Sequence, residues 1–534
     1  MKILKIKVCG LLLALSGIFA GCDNPLKDID LQVSTEVIQH HAVLQVVDSK
    51  GENVTGAAVA LVDGETAVIY NLAGRKDFKL LGGNMVTFGV DPNRKVSGEA
   101  PVEFRVRITA PGFKSREILM SITDVDMGIR TITMFGMAEQ VEGAVATVKN
   151  VDLQENGATP VPTNVSGDAG LALDIDAGTQ FKNAQGQVMT GGAVKVEVVS
   201  IDATKESATA LLPEGDLRSS AVLLEGGRTA AGAFSPVAMT EINMAVNNVG
   251  IRSFTKPIQV KMPIRAEYVS PATGAPIAAG QLFELYSNSA DGIWRFEKQL
   301  AVQGTAQQGY YVEFETDHLS FYMAGKFAQA CDDMAKINFS ASWMQQGLTL
   351  PVQVQAIWNG QIIASSRSYS ISEENRSISL SNLPADDVTL VVRNSEGNII
   401  AEAPLAACGK PTEIQLPNSI AGPVVTLQLY VRCPNKSETI TVLPTFQMFY
   451  RVSGTETFKV LGTVKNGFLR TSLLKTDGTE YDFKAVWNDR VKIVNRKTVL
   501  QDNNATVGIK PGDVIGSKDG ATNLEILTEE CNKL

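Results

Sequence analysis

The sequence predicts an all-β chain in which a cleaved export signal is followed by tandem β-sandwich modules. Three observations carry that prediction. Apolar and polar residues alternate with period two over residues 101–109, which puts Val102, Phe104, Val106 and Ile108 on one face, as a half-buried antiparallel strand requires. The same pattern recurs at Val194, Val196 and Val198, at Ile258, Val260, Met262 and Ile264, at Val352, Val354, Ala356 and Trp358, and at Val425, Leu427, Leu429 and Val431. Turn signals such as Asp48-Ser49-Lys50-Gly51, Ala110-Pro111-Gly112 and Lys475-Thr476-Asp477-Gly478 separate the strands, and amphipathic helical periodicity is scarce. A chain of 534 residues with 44% apolar content has room for three or four such modules.

The first element is the signal, residues 1–21. Lys2, Lys5 and Lys7 form a charged start, and residues 8–19 form an apolar run centred on Leu11, Leu12, Leu13 and Leu15. That run is shorter than the ~20 residues a membrane-spanning helix needs, and no comparable run follows it. The run leads into Phe19-Ala20-Gly21-Cys22, which resembles the lipobox of bacterial lipoproteins, with Phe19 where the family usually has leucine. The resemblance implies cleavage before Cys22, acylation of Cys22, and a location in the cell envelope, on either face of the outer membrane. Each buried methylene of such a lipid adds about 0.8 kcal/mol of membrane affinity, so several acyl chains anchor a protein firmly. Residues 22–35 are polar, include Asn24-Pro25, and read as a tether.

Four modules follow, at 36–136, 137–327, 331–418 and 422–534. The opening of the first, from Leu44 through Gly51, Val54, Gly56 and Ala57 to Leu61, resembles the first hairpin of carboxypeptidase-regulatory-like, transthyretin-like domains. Gly51 permits the turn, Val54 turns the chain inward, and Gly56 and Ala57 allow close packing. Ala110-Pro111-Gly112-Phe113 with Ile118, Met120 and Ile122 resembles the late hairpin of that family. The second module, with Asp176 to Phe181, Trp294 to Phe296 and the closing Phe314 to Tyr322, is similar to ZU5-like β-sandwich regions, which implies a structural or interaction role. Residues 200–235, rich in Ala, Ser and Gly, read as a long loop. The modules as a set are thus immunoglobulin-like or transthyretin-like sandwiches.

Removing residues 1–21 takes three lysines and no acids, so 45 basic residues face 57 acidic ones and the formal charge moves from −9 to −12. Such a surface argues against nucleic acid as a partner. Four cysteines remain beside Cys22: Cys331, Cys408, Cys433 and Cys531. In an oxidising envelope their even number favours disulfides, and their positions favour pairing within modules, Cys331 with Cys408 and Cys433 with Cys531. Free thiols stay open as an alternative, while a thiolate metal site lacks any Cys-x-x-Cys pair.

Catalytic equipment is sparse. The chain holds three histidines, His40, His41 and His318. The first two point to opposite faces of a strand and read as surface residues, and His318 reads as a structural hydrogen-bond donor at a strand turn. Ser472-Leu473-Leu474-Lys475 has the Ser-x-x-Lys spacing but sits among strands without companion motifs. The acidic pairs Asp174/Asp176, Asp332/Asp333 and Asp386/Asp387 read as solvated turns rather than calcium ligands. Strand phase places Trp294, Trp343, Trp358 and Trp487 in cores and not on exposed sugar platforms.

These readings lead to a non-catalytic, lipid-anchored envelope protein serving as scaffold, spacer or adhesion surface, with no cofactor or metal. Its partners would be the membrane, through the lipid, and a protein or glycan. The alternative is a carbohydrate- or peptide-binding lipoprotein accessory to nutrient uptake, and an enzyme of unfamiliar type is a third reading.

Overall fold

The structure, a computed structural model, describes residues 31–34 and 38–507 apart from 82–83, 99, 137–138, 168–169, 248, 266, 271–272, 289–291, 407, 419–421, 433–439 and 488–489. Strands dominate, and the described helices are short: Glu206–Thr209 and the 3-10 turns Thr66–Val68 and Met344–Gln346. The chain is a set of tandem β-sandwiches, built where alternating sequence lets each sheet bury one face.

In the first module, Ala58–Gly64, Val102–Thr109 and Arg116–Ile122 form an antiparallel sheet. Opposite lies His41–Asp48, paired antiparallel with Met85–Val90 and parallel with Asp126–Met134. Val102, Phe104, Val106 and Ile108 are fully buried between the sheets, against Leu44, Val46 and Phe88. The late hairpin turns through Gly112 at φ +80°. The expected first hairpin takes another form, because His41–Asp48 and Ala58–Gly64 belong to opposite sheets. The turn at Gly51 (φ +79°) and buried Val54 carry the chain across the core from one layer to the other.

The second module packs a six-stranded sheet containing Ser253–Ile264 and Gly309–His318 on an eight-stranded sheet containing Ala193–Ile201, Thr229–Val246 and Phe321–Gln329. Val194, Val196 and Val198 meet Ile258, Val260 and Met262 in its core. The long loop expected over 200–235 is corrected. Glu206–Thr209 is a helical turn, Arg218–Leu223 is a strand, and the region ends inside the 18-residue strand Thr229–Val246. Its small residues permit close approach: a Cβ on Gly232 would lie 2.2 Å from the Ala328 carbonyl oxygen.

The modules are joined by shared strands and cores. Thr229–Val246 bulges between Pro236 and Ala238. Beyond the bulge, Ile242 and Met244 lie in the second module's core, whereas Ala233 and Phe234 share a core with Ile337, Trp343, Trp358 and Leu390 of the third. Gln361–Ile371 of the third module pairs with Asp126–Met134 of the first, Arg367 opposite Arg130 and Ser368 opposite Ile129, so one eight-stranded sheet runs through both. The backbones close on Gly128, whose φ is +66° and where a Cβ would lie 2.4 Å from the Ser368 carbonyl oxygen. Cys331 and Cys408 form a disulfide across the third module, while Cys22, Cys433 and Cys531 lie outside the described residues.

The fourth module closes the assembly. Phe449 and Val486 pack on Val43, Met85 and Ile129, the outer face of the first module's sheet. That sheet is therefore covered on both sides, which is why Met85–Val90 is buried without alternation. The tether reading is corrected as well: Leu31–Ser34 is a strand in parallel register with Ile440–Leu443 of the fourth module. Pairing Leu31–Ser34 in a ladder gives partners to backbone groups that a free tether would leave to water.

Candidate functional site

A buried ionic knot occupies the place where the first three modules meet. The first module contributes Arg105, Arg116 and Arg130, all on strands of its two sheets. Glu214, Asp216 and Arg218 come from the segment read as a loop. Arg130 donates from Nη1 to the Leu119 carbonyl and from Nη2 to the Glu214 carbonyl, both at 2.7 Å. Arg116 Nη2 donates to the Leu212 carbonyl at 3.3 Å. Arg218 grips Asp216 through Nε at 3.3 Å and Nη2 at 2.7 Å, and its Nη1 reaches the Ser381 carbonyl of the third module at 3.2 Å. Ser219 donates to Glu214 Oε1, which lies 3.8 Å from Arg105 Nη2. Gly215, at φ +79°, keeps the turn bare where the Arg130 and Arg116 guanidinium groups approach.

Burial sets the electrostatics. It pushes the Glu214 carboxyl up to about 7, against the opposing pull of Arg105. It lowers Arg116 to about 10 and Arg130 to about 9, the latter with help from Arg367. Burial also pushes the Asp216 carboxyl up, but Arg218 and Arg130 outweigh it and hold the group below its usual range. The knot's charges bind one another and backbone carbonyls across three modules, which suits fixing their relative positions.

Clefts open at the surface among the described residues. One of about 460 Å³ lies beside the knot between the first and second modules, lined by Arg105, Lys114, Arg116, Glu241, Arg252 and Asn288 among others. A second, of about 810 Å³, lies among the first, third and fourth modules, with His41, Asp126, Arg376, Lys465 and Arg470 in its walls. A third, of about 290 Å³, includes Glu297, Thr316, His318 and Tyr322.

The structure disperses the residues singled out from the sequence. His41 is 6% exposed with Nε2 3.7 Å from Asp126, and His40 is half-buried, so reading them as surface residues is corrected. They are covered because the strand they introduce lies in the sheet packed on both faces. His318 closes a strand turn: its carbonyl accepts from the Tyr322 hydroxyl at 2.6 Å, Nδ1 lies 3.1 Å from Asp317, and Nε2 lies 3.8 Å from Glu297. Ser472 is buried and Lys475 exposed in a bend, which is not the helical turn a Ser-x-x-Lys pair requires. The three acidic pairs lie in exposed positions. Among the described residues no cluster of three or more His, Cys, Asp or Glu could hold a metal ion. Trp294, Trp343 and Trp358 are buried, and the Trp487 side chain lies outside the described residues. The knot escaped sequence reasoning. Its one local signal was the charged stretch Glu214-Gly215-Asp216-Leu217-Arg218 inside otherwise small and apolar chain.

No family model and no curated protein matches the chain. Among solved structures it is similar to the Bacillus anthracis TIE protein, at 9% identity and a TM-score of 0.13 over 70% of this chain and 59% of that one. The chain thus spans 59% of the length of that protein. It is also similar to the major pilin subunit of Bacillus cereus, at 10% identity and a TM-score of 0.13 over 89% of this chain and 99% of that one. At these scores neither likeness bears on activity.

Proposed function

We propose that this chain is a lipid-anchored, non-catalytic protein of the cell envelope that presents a rigid scaffold or adhesion surface to a protein partner. The observation that carries this reading is the joining of the modules through a continuous sheet, shared cores and the ionic knot. Domains linked only by small polar interfaces move against one another by default, so joints built this way suit a body that holds a surface in a fixed geometry. Phe19-Ala20-Gly21-Cys22 supplies the membrane anchor in this reading, with Cys22 acylated in the outer membrane. The resemblance of 36–136 to carboxypeptidase-regulatory-like domains fits an accessory, non-catalytic role. The scattered histidines and the mutual pairing of the knot's charges also favour it.

A second reading, the binding of a carbohydrate or peptide in support of nutrient uptake, is favoured by the 460 Å³ cleft, which falls in the size range of small-molecule sites. Its walls are rich in guanidinium and amide groups, and Phe321 is its aromatic residue. The test begins with intact-mass analysis of the mature protein extracted from its native envelope, followed by cross-linking and capture of the anchored protein. Acylated Cys22 as the first residue and one stoichiometric protein partner are expected. An unacylated terminus, or capture without a partner alongside specific glycan binding, would replace the first reading.

A further inference from the structure

The 460 Å³ cleft has a charge balance opposite to that of the whole chain. The chain is acidic, yet Arg105, Lys114, Arg116 and Arg252 line the cleft against Glu117 and Glu241. Several of these charges are engaged elsewhere. Glu117 pairs with Arg107 at 2.6 Å, Lys114 lies 3.5 Å from Glu197, and Arg105 lies 3.8 Å from Glu214. Burial raises the Glu241 carboxyl, and Asn243 Nδ2 donates to it at 2.8 Å, so this group opposes an anion less than a solvated carboxylate would. Arg252 is exposed and, among the described residues, has no acidic partner within ion-pair distance.

The wall also contains two unmatched donors. Arg116, 6% exposed, leaves Nη1 without a protein acceptor after Nη2 binds the Leu212 carbonyl, and Asn288, 3% exposed, leaves Nδ2 without one. Both atoms are shielded from solvent within residues that line the cleft, and a buried donor without an acceptor costs roughly 1–3 kcal/mol, so the wall behind the cleft is short of acceptors. A cleft with an excess of cations in low-dielectric walls concentrates anions even on a protein of opposite net charge.

We propose that this cleft binds a small hydroxylated carboxylate of monosaccharide size, its carboxylate paired with Arg252 at the mouth and drawn by Arg116 in the wall. Its hydroxyls would face Glu241, Asn243 and Asn288. A guanidinium suits this task because its planar donors match the two carboxylate oxygens. The site goes beyond the scaffold role and does not depend on it.

The test is calorimetric titration of the full chain with D-glucuronate, D-glucose and inorganic phosphate as probes. Glucuronate should bind and glucose should not. Arg252→Ala, at an exposed side chain that leaves the core untouched, should weaken glucuronate binding about tenfold or more, and Asn288→Leu should weaken it as well. Four outcomes would overturn the proposal: no binding of glucuronate, equal binding of glucose, phosphate bound as tightly with the same dependence on Arg252, or glucuronate binding that is indifferent to both substitutions. Circular dichroism showing native strand content confirms that each variant tested is folded.

Discussion

Glu214 should make this fold lose stability as the solution turns from acid to alkaline, and replacing it with glutamine should abolish that loss. Its carboxyl is buried in the knot and titrates near 7 in the folded chain, against 4.5 for the free group. In an acid whose folded value is raised, the native state keeps its proton where the unfolded state has released it. Below about pH 4.5 both states are protonated and no penalty arises. Between 4.5 and 7 the native state binds more protons, so stability falls with rising pH, and above about 7 the full penalty applies. At 1.36 kcal/mol per pH unit, that interval corresponds to roughly 3 kcal/mol. Glu214→Gln keeps the size of the side chain and an acceptor for Ser219, and the backbone carbonyl that receives Arg130 is unchanged. The variant should therefore match the native protein at pH 4 and exceed it by roughly 2–3 kcal/mol at pH 8, read from urea midpoints across that range. A variant less stable at pH 8 than at pH 4 would show that Arg105 and Arg130 hold the carboxylate more strongly than burial opposes it, and a difference constant with pH would show that the two effects cancel; either result refutes the reasoning.

Three further outcomes are expected. Gly128→Ala places a Cβ against the Ser368 carbonyl oxygen in left-handed backbone, so it should cost about 2–3 kcal/mol and speed amide exchange over Gln361–Ile371 before it does so elsewhere. Removing the Cys331–Cys408 crosslink frees a separation of 77 residues, worth roughly 4 kcal/mol by loop entropy, and melting with and without reductant reads the loss. Lys484, 5% exposed over the rings of Phe449 and Phe458, is lowered by burial to about 8, so its charge burdens the native state below that pH. Lys484→Met should raise the urea midpoint at pH 7, with the gain fading by pH 10.5; a gain that persists there would point to packing instead of charge.

What could be read from the sequence follows from which forces are local. The alternation at Val102 to Ile108 and at Val194 to Val198 reports one buried face per strand, a property each strand carries by itself, and both faces lie in cores. Trp358 followed the same phase argument into the interior, whereas Trp343, also buried, lies beyond the end of its strand at the start of the turn Met344–Gln346. The segment 200–235 was misread because small residues serve turns and close sheet contacts alike, and only the neighbouring Phe327 and Ala328 decide which applies. His41 was misplaced for a related reason, since the second covering layer of its sheet comes from Phe449 and Val486, some 400 positions away. The knot was illegible because its partners are distant: Arg130 finds Glu214 across 84 positions, and Arg218 finds Ser381 across 163. No short window of sequence contains such a pairing.

The parallel register of Leu31–Ser34 with Ile440–Leu443 has a consequence for how the chain is made. Among the described residues, this earliest strand has no ladder partner until positions some 400 residues later have been synthesised, so it waits longest of the described strands to be paired. Closure across so many positions is slow, and an apolar edge left open meanwhile invites misassembly. Completion of the last module is thus the step that seals the first, and a truncation before residue 440 would leave both ends of the fold unfinished.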